Sequence, residues 1–90
     1  MPTIKIPAPL RPYADGQSAL TLPGRNVADV LEEIVTLYPE LKKHLYGDDA
    51  QLRPFVNLFL GDENIKELQG LDTPLTEGDI ILIIPSIAGG

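Results

Sequence analysis

The last two residues, Gly89 and Gly90, place an unhindered carboxyl group at the end of the chain. With glycine at about 7% of residues, two terminal glycines arise by chance in roughly 0.5% of chains. An apolar strand is predicted to stop at Pro85, and the five residues after it span roughly 16–18 Å when extended. Glycine accepts most backbone dihedral angles and has no side chain to block a narrow channel. The pattern indicates a flexible tail that carries the α-carboxyl of Gly90 into a buried site on another protein; its other members are Ser86, Ile87, Ala88 and Gly89.

The Gly90 carboxyl needs activation before it reacts. With a pKa of about 3.3–3.7, a terminal carboxyl is an anion at neutral pH and a poor electrophile. A separate enzyme must therefore activate it. We expect the chain to be a substrate of partner enzymes and not an enzyme itself. A frayed tail without chemistry is the alternative interpretation.

Other motifs give no indication of catalysis. The sequence lacks the P-loop, dinucleotide-binding, nucleophile-elbow and zinc-protease patterns. Its one histidine, His44, stands beside Lys42 and Lys43 and is expected to be solvated, and a histidine without partners makes no triad. Asp62 and Glu63 are acidic, but residues 62–64 lack the spacing of a calcium loop, so a turn is expected there. We predict no metal site and no cofactor bound by this chain.

Composition bounds the remaining possibilities. The 90 residues suit one domain, with 7 Lys and Arg against 13 Asp and Glu and a formal net charge of −6. This charge argues against nucleic acid and anionic membrane as partners, since basic residues bind both. The absence of cysteine excludes disulfides and a cysteine nucleophile. The N-terminus lacks a signal-peptide pattern and the longest apolar run is far below the ~20 residues of a membrane span, so a cytoplasmic protein is expected.

Hydrophobic periodicity predicts the first elements. Residues 3–6 and 19–22 alternate as short strands and form a predicted hairpin around a long, proline-stiffened turn. Asn26 is placed to cap a helix whose apolar stripe runs to Tyr38, and Pro39 is predicted to end it. The stripe predicts a helix that packs through a single face.

The second half of the chain supplies the remaining strands. Residues 40–45 are predicted to add a short turn, and residues 55–60 a third strand. Residues 80–84 are apolar on both faces, as in a central strand or in one whose outer face meets a partner. We therefore predict an α+β fold over residues 1–85, a mixed sheet of β-grasp (ubiquitin-like) layout with one main helix on one face. Residues 86–90 form the predicted tail.

Strand alternation predicts where a partner docks. If Val56 and Leu58 point at the helix, the alternate positions of the third and last strands point away from it. These strands are neighbours in a β-grasp sheet, so we expect an exposed apolar patch beside the tail, and such patches mark partner sites. A covering loop or an inverted face assignment is the alternative, and Arg11 and Arg53 are interpreted as solvated. The predicted patch consists of Phe55, Phe59, Leu82 and Ile84.

Several segments resemble the ThiS/MoaD family of β-grasp sulfur carrier proteins, and the resemblance covers nearly the whole chain. They are Phe55-Val-Asn57, Leu75-Thr-Glu-Gly-Asp79 and the closing Pro85-Ser-Ile-Ala-Gly-Gly90. Within the family, the chain is similar to the CysO-type carriers of cysteine biosynthesis. That likeness rests on Leu10-Arg-Pro12, Asp15-Gly-Gln17, Phe55-Val-Asn-Leu-Phe and Ile87-Ala-Gly-Gly.

The resemblance implies a carrier cycle. A ubiquitin-activating-like enzyme adenylates the Gly90 carboxyl with ATP, and sulfide or a persulfide then replaces AMP to leave a C-terminal thiocarboxylate. In CysO-like systems a PLP-dependent cysteine synthase joins this sulfur to an aminoacrylate made from O-phosphoserine. After an S-to-N acyl shift a metallopeptidase releases cysteine. ATP, PLP and metal would then belong to the partners.

Other functions stay open at this point. Within the same family, a MoaD-like chain is the small subunit of molybdopterin synthase and a ThiS-like chain feeds thiamin synthesis. From another class, a ubiquitin-like modifier forms isopeptide bonds to lysines through the same Gly90. A pure binding module leaves the glycines incidental.

Overall fold

The computed structural model describes residues 1–49, 51–54 and 56–85. The strands in this part of the chain are β1 (Thr3–Lys5), β2 (Ala19–Thr21), β3 (Val56–Leu60), β4 (Glu63–Asn64) and β5 (Ile80–Pro85). The helices are α1 (Val27–Leu37), α2 (Pro39–Leu45) and three short 3-10 helices at Ala8–Ala14, Ile65–Glu67 and Gly70–Asp72. None of these helices combines the length and the apolar content that crossing a bilayer requires.

β5 lies in the middle of the sheet. The strand order is β2-β1-β5-β3-β4, with β1 parallel to β5 and β3 antiparallel to it. β1 and β2 form the predicted hairpin. An apolar sequence on both faces is typical of a strand with neighbours on both sides. The prediction of a central last strand is therefore confirmed. The parallel pairing of the first and last strands completes the predicted β-grasp arrangement, so the predicted fold class is confirmed as well.

α1 begins where the sequence predicts. The Asn26 side-chain oxygen accepts a hydrogen bond from the Asp29 backbone N–H at 2.9 Å, which satisfies one of the orphan amides of the first turn. The helix ends at Leu37, since Pro39 disfavours helical geometry at Tyr38. Its buried stripe packs with the inward residues of β1, β3 and β5 in one core. The stripe consists of Val27, Val30, Leu31 and Ile34.

Two segments predicted as turns are helical. The proline-rich stretch after β1 forms the 3-10 helix Ala8–Ala14, and the short turn predicted at 40–45 is the helix α2. Proline is tolerated in a first helical turn because its missing N–H needs no partner there. Leu41 and Leu45 lie one turn apart on α2 and are both 0% exposed. Burial of this apolar edge stabilises a helix too short to form alone.

A third difference concerns residues 63 and 64, which the sequence places in a turn. They form the edge strand β4, which pairs Asn64 with Phe59 and Glu63 with Leu60. Gly61 makes the tight connection with φ at +63°, a conformation that favours glycine. Two polar residues on an edge strand have no apolar alternation, so the pairing leaves no signal in the sequence.

Candidate functional site

The site is organised around Pro85, the last described residue. Pro85 ends the central strand and pairs with Val56 of β3. Ile87, Ala88, Gly89 and Gly90 lie outside the described residues. Their predicted roles, and the predicted boundary between a domain at 1–85 and a tail at 86–90, therefore stay predictions.

An apolar surface lies on the sheet face opposite α1, next to Pro85. Phe59 of β3 pairs with Leu82 of β5, and the neighbouring pair joins Asn57 to Ile84. Ile84 is 42% exposed, and Phe59 and Leu82 are half-buried. We refer to Phe59, Leu82 and Ile84 as the outer patch. Phe55, the fourth predicted member, lies outside the described residues.

Burial along β5 fixes which face is which. Ile81 and Ile83 are 0% and 3% exposed and belong to the core. Because side chains alternate along a strand, Leu82 and Ile84 point to the opposite face. This arrangement removes the inverted face assignment as an alternative. Whether a partner binds the outer patch stays a prediction.

Lys5 is a neighbour of the outer patch that the sequence analysis did not single out. It lies on β1 and pairs with Leu82. Ile4 and Ile6 on either side of it are 0% and 1% exposed, so Lys5 must point to the outer face. The alternation of β1 contained this signal, but only the pairing of β1 with β5 places the ammonium group beside Leu82.

Arg53 is exposed, as the sequence predicts, whereas Arg11 is not fully solvated, and both also donate hydrogen bonds to backbone carbonyls. Arg11 is half-buried, and its Nε donates to the Ile6 carbonyl at 3.1 Å. Arg53 donates from Nε and Nη2 to the Lys43 carbonyl, at 3.1 and 2.9 Å. Each guanidinium ties its own segment to the backbone of another, because a planar fork of donors suits a carbonyl oxygen.

The expectation of a solvated His44 is wrong. Its ring stacks on Tyr13, with ring centroids 3.9 Å apart and an interplanar angle of 23°. His44 is half-buried and belongs to α2, whereas Tyr13 belongs to the 3-10 helix Ala8–Ala14. The stack therefore joins two segments of low intrinsic stability, and a structural role accounts for this histidine.

Among the described residues, two titratable groups have shifted pKa values. The N-terminal ammonium of Met1 donates to Glu77 Oε1 at 2.7 Å. This hydrogen bond, with the attraction between the charges, lowers the pKa of the exposed Glu77 carboxyl. Burial, with a smaller contribution from the charge of Glu32, raises the pKa of the Tyr46 phenol. Within the described ranges, no three or more His, Asp and Glu side chains come together in a group that could hold a metal ion.

The described residues thus place an exposed apolar surface beside Pro85, since Ile84 immediately precedes it. The docking role of this surface and the tail after Pro85 stay predictions.

Known proteins are similar to this chain in both sequence and fold. The chain matches the ThiS family over residues 4–90. The sulfur carrier protein CysO of Mycobacterium tuberculosis is 31% identical over 90 residues, which cover 98% of this chain and 97% of CysO.

Solved structures agree. A chain of the Amycolatopsis orientalis BexX/CysO complex superposes with a TM-score of 0.88 at 27% identity, covering 100% of both chains. The small archaeal modifier protein 1 of Methanosarcina acetivorans superposes with a TM-score of 0.86 at 36% identity, covering 99% of this chain and 95% of that one. Because the family match spans nearly all of the sequence and the CysO alignment runs the length of both chains, this chain belongs to the ThiS family and is a small sulfur carrier protein of the CysO type, not an enzyme.

Proposed function

We propose that this chain carries sulfur as a thiocarboxylate on Gly90 and delivers it in cysteine biosynthesis. The observation that carries the proposal is the position of Pro85, at the end of the central strand and beside the outer patch. A partner that covers the patch lies next to the residue after which the proposed tail begins. The family match extends to residue 90 and so includes both terminal glycines.

The proposed chemistry takes place on the Gly90 carboxyl in two steps. A carboxylate oxygen attacks the α-phosphorus of ATP, and pyrophosphate leaves as the acyl adenylate forms. Sulfide, or a persulfide sulfur followed by reduction of its S–S bond with a thiol, then attacks the acyl carbon and AMP leaves. The net change at the chain end is replacement of one oxygen atom by sulfur. The nucleotide belongs to a ubiquitin-activating-like partner, not to this chain.

The domain contributes binding and reach. Burial of apolar surface stabilises a complex by roughly 25 cal/mol per Å², so the outer patch supplies affinity. A five-residue tail spans at most roughly 16–18 Å, so the reactive carbon of every partner must lie within that distance of Pro85. With glycine at the last two positions, the chain end can enter a narrow channel, since no side chain has to pass through it.

Further partners follow from the CysO-type assignment. In the proposal a PLP-dependent cysteine synthase accepts the sulfur onto an aminoacrylate, and a metallopeptidase cleaves the product from Gly90. PLP and metal are then resident in those partners. We propose the cytoplasm as the compartment, because adenylation consumes ATP.

Intact mass spectrometry tests the proposal. The full chain is incubated with the adenylating enzyme of its source organism, ATP and sulfide, and the expected product is heavier by the difference between sulfur and oxygen. Fragmentation must place this difference on Gly90. Reactions without ATP provide the control. An unchanged mass, with an enzyme that is active in ATP–pyrophosphate exchange, contradicts the proposal.

A protein modifier is the second candidate function. The observation that favours it is the 36% identity to the small archaeal modifier protein 1 of Methanosarcina acetivorans. A modifier forms an isopeptide bond between Gly90 and a lysine of a target protein. Proteomics of the source organism distinguishes the two functions: lysine adducts derived from this chain, lost when Gly90 is deleted, support the modifier. Thiocarboxylate without adducts supports the carrier.

A further inference from the structure

Charge is distributed unevenly between the two ends of the sheet's strands. β1 is parallel to β5 and β3 is antiparallel to it, so the segments that follow β1 and precede β3 lie at the same end of the molecule as Pro85. The contacts of α2 with the 3-10 helix Ala8–Ala14 and with Arg53 place α2 at this end as well. The opposite end contains residues 62–79 and the start of α1, which the Val27 N–H ties to the Thr73 carbonyl at 3.1 Å.

Most basic residues lie at the end where β5 finishes, although the chain has a net charge of −6. Five of the seven Lys and Arg residues belong there, and the opposite end has only Arg25 and Lys66. Seven of the thirteen carboxylates are at that opposite end: Asp29 and the six within residues 62–79. The five basic residues at the Pro85 end are Lys5, Arg11, Lys42, Lys43 and Arg53.

Two of these cations line an open groove beside the outer patch. The groove lies at the carboxyl ends of β1 and β5, and Leu82 of the outer patch forms part of its wall. Lys5 and Arg11 are the charged residues that line it, and no carboxylate among the described residues does. The other lining residues are Ile6, Pro7, Ser18, Ala19 and Ile83.

Neither cation has an acidic partner within residues 1–49, 51–54 and 56–85. The ion pairs in this part of the chain join the N-terminus of Met1 to Glu77, and Lys43 to Glu40. Arg11 is held by the bond from its Nε to the Ile6 carbonyl, and its two Nη groups make no hydrogen bond to the described residues. A guanidinium fixed through Nε loses little freedom when its remaining donors bind a carboxylate.

We propose that this groove receives an acidic side chain of the partner protein that takes the Gly90 tail. The inference rests on the proposed function and adds the chemistry of the partner's surface: a carboxylate that reaches Lys5 and Arg11 while an apolar surface covers Leu82. Oppositely charged side chains on the two proteins, at the rim of an apolar contact, fix the register of the complex and accelerate the encounter of the two proteins. The opposite end, with seven carboxylates against two basic residues, is repelled by such a partner, so the less acidic Pro85 end approaches it preferentially.

The test measures KM for the chain in the thiocarboxylation reaction with the adenylating enzyme. Lys5→Ala and Arg11→Ala are expected to raise KM by about tenfold each, since each removes a charge-assisted contact. Lys66→Ala is the matched control at the opposite end, and its KM should stay within about twofold of wild type. Between about 50 and 300 mM NaCl, the KM of the wild type should rise more steeply than that of the Lys5→Ala/Arg11→Ala double variant.

Further measurements distinguish an effect of a substitution on folding from an effect on partner binding. Lys5 is exposed and makes no side-chain hydrogen bond to the described residues, so Lys5→Ala decides the outcome if Arg11→Ala lowers Tm. KM values of both variants equal to that of Lys66→Ala, with wild type still converted to thiocarboxylate, overturn the inference and leave the proposed function standing. Absence of thiocarboxylate in the wild type overturns both. Binding of inorganic phosphate alone to Lys5 and Arg11, seen as NMR shifts that saturate below about 1 mM, also overturns it, because the groove is then a site for small anions.

Discussion

Phe59 of β3 faces Leu82 of β5 across an antiparallel pair, and the next pair on that face, Asn57 with Ile84, brings Ile84 to it one residue before Pro85. Two strands far apart in sequence thus build one apolar surface at the base of the tail. In the proposed function this surface is what the activating enzyme and the cysteine synthase both contact.

Substitution of Ile84 tests that contact, and β5 offers a matched control. Ile84 and Ile80 lie on the same face of the same strand and are 42% and 41% exposed, but they are separated by about 13 Å along it. Ile84→Glu should raise KM for thiocarboxylation about tenfold or more, since a carboxylate forced against an apolar partner is desolvated. Ile80→Glu should have little effect, and both variants should keep the wild-type Tm. Equal KM values for the two variants contradict the assignment of the patch.

The length of the tail is a second variable. Deletion of Gly90, or addition of one residue after it, moves the carboxyl by about 3.3–3.6 Å and should abolish sulfur transfer. Tm should be nearly unchanged, because the buried core formed by the described residues extends from Ile4 to Ile83. Intact mass and differential scanning calorimetry measure the two properties on the same samples. A large loss of stability indicates instead that the tail is packed structure.

The stack of His44 on Tyr13 predicts an energetic coupling between α2 and the 3-10 helix Ala8–Ala14. A double-mutant cycle of His44→Ala and Tyr13→Ala should give a coupling of about 0.5–1.5 kcal/mol in the free energy of unfolding. Tyr13→Phe is the control, since it keeps the ring and should cost much less. Additive effects of the two alanine substitutions show that the rings do not stabilise each other.

Tyr46 predicts how stability depends on alkaline pH. Burial and the neighbouring charge of Glu32 raise the pKa of its phenol, so the folded chain holds this proton more tightly than the unfolded chain. The contribution of Tyr46 is complete below the unfolded-state pKa of about 10 and is lost as pH rises from there through the folded-state pKa. Urea unfolding from about pH 8 to 11 should therefore show a steeper loss for wild type than for Tyr46→Phe. Parallel curves for the two proteins contradict the prediction.

Local sequence signals were sufficient to predict the elements that have a clear hydrophobic or capping pattern of their own. Asn26, the apolar stripe and Pro39 marked both ends of α1, and apolar residues on both faces indicated a central β5, although only the burial of Ile81 and Ile83 assigned its faces. Short segments carried too little pattern: α2 is stabilised by burial of Leu41 and Leu45, and β4 exists only because β3 lies beside it. The stack of His44 was missed for the same reason, since Tyr13 belongs to a distant segment, whereas Arg11 and Arg53 bind carbonyls only five and ten residues away, at Ile6 and Lys43.

The sequence by itself determined that this chain is small, acidic and free of cysteine, and it predicted a reactive carboxyl at Gly90 after a strong apolar strand. Composition, periodicity and the closing glycines are local properties, which do not depend on what lies nearby in space. Only the tertiary structure decided that Lys5, Leu82 and Phe59 form one row across three strands, and that basic residues gather at the end where the tail begins. Strand register and chain direction set those neighbours, and both follow from how the core packs as a whole.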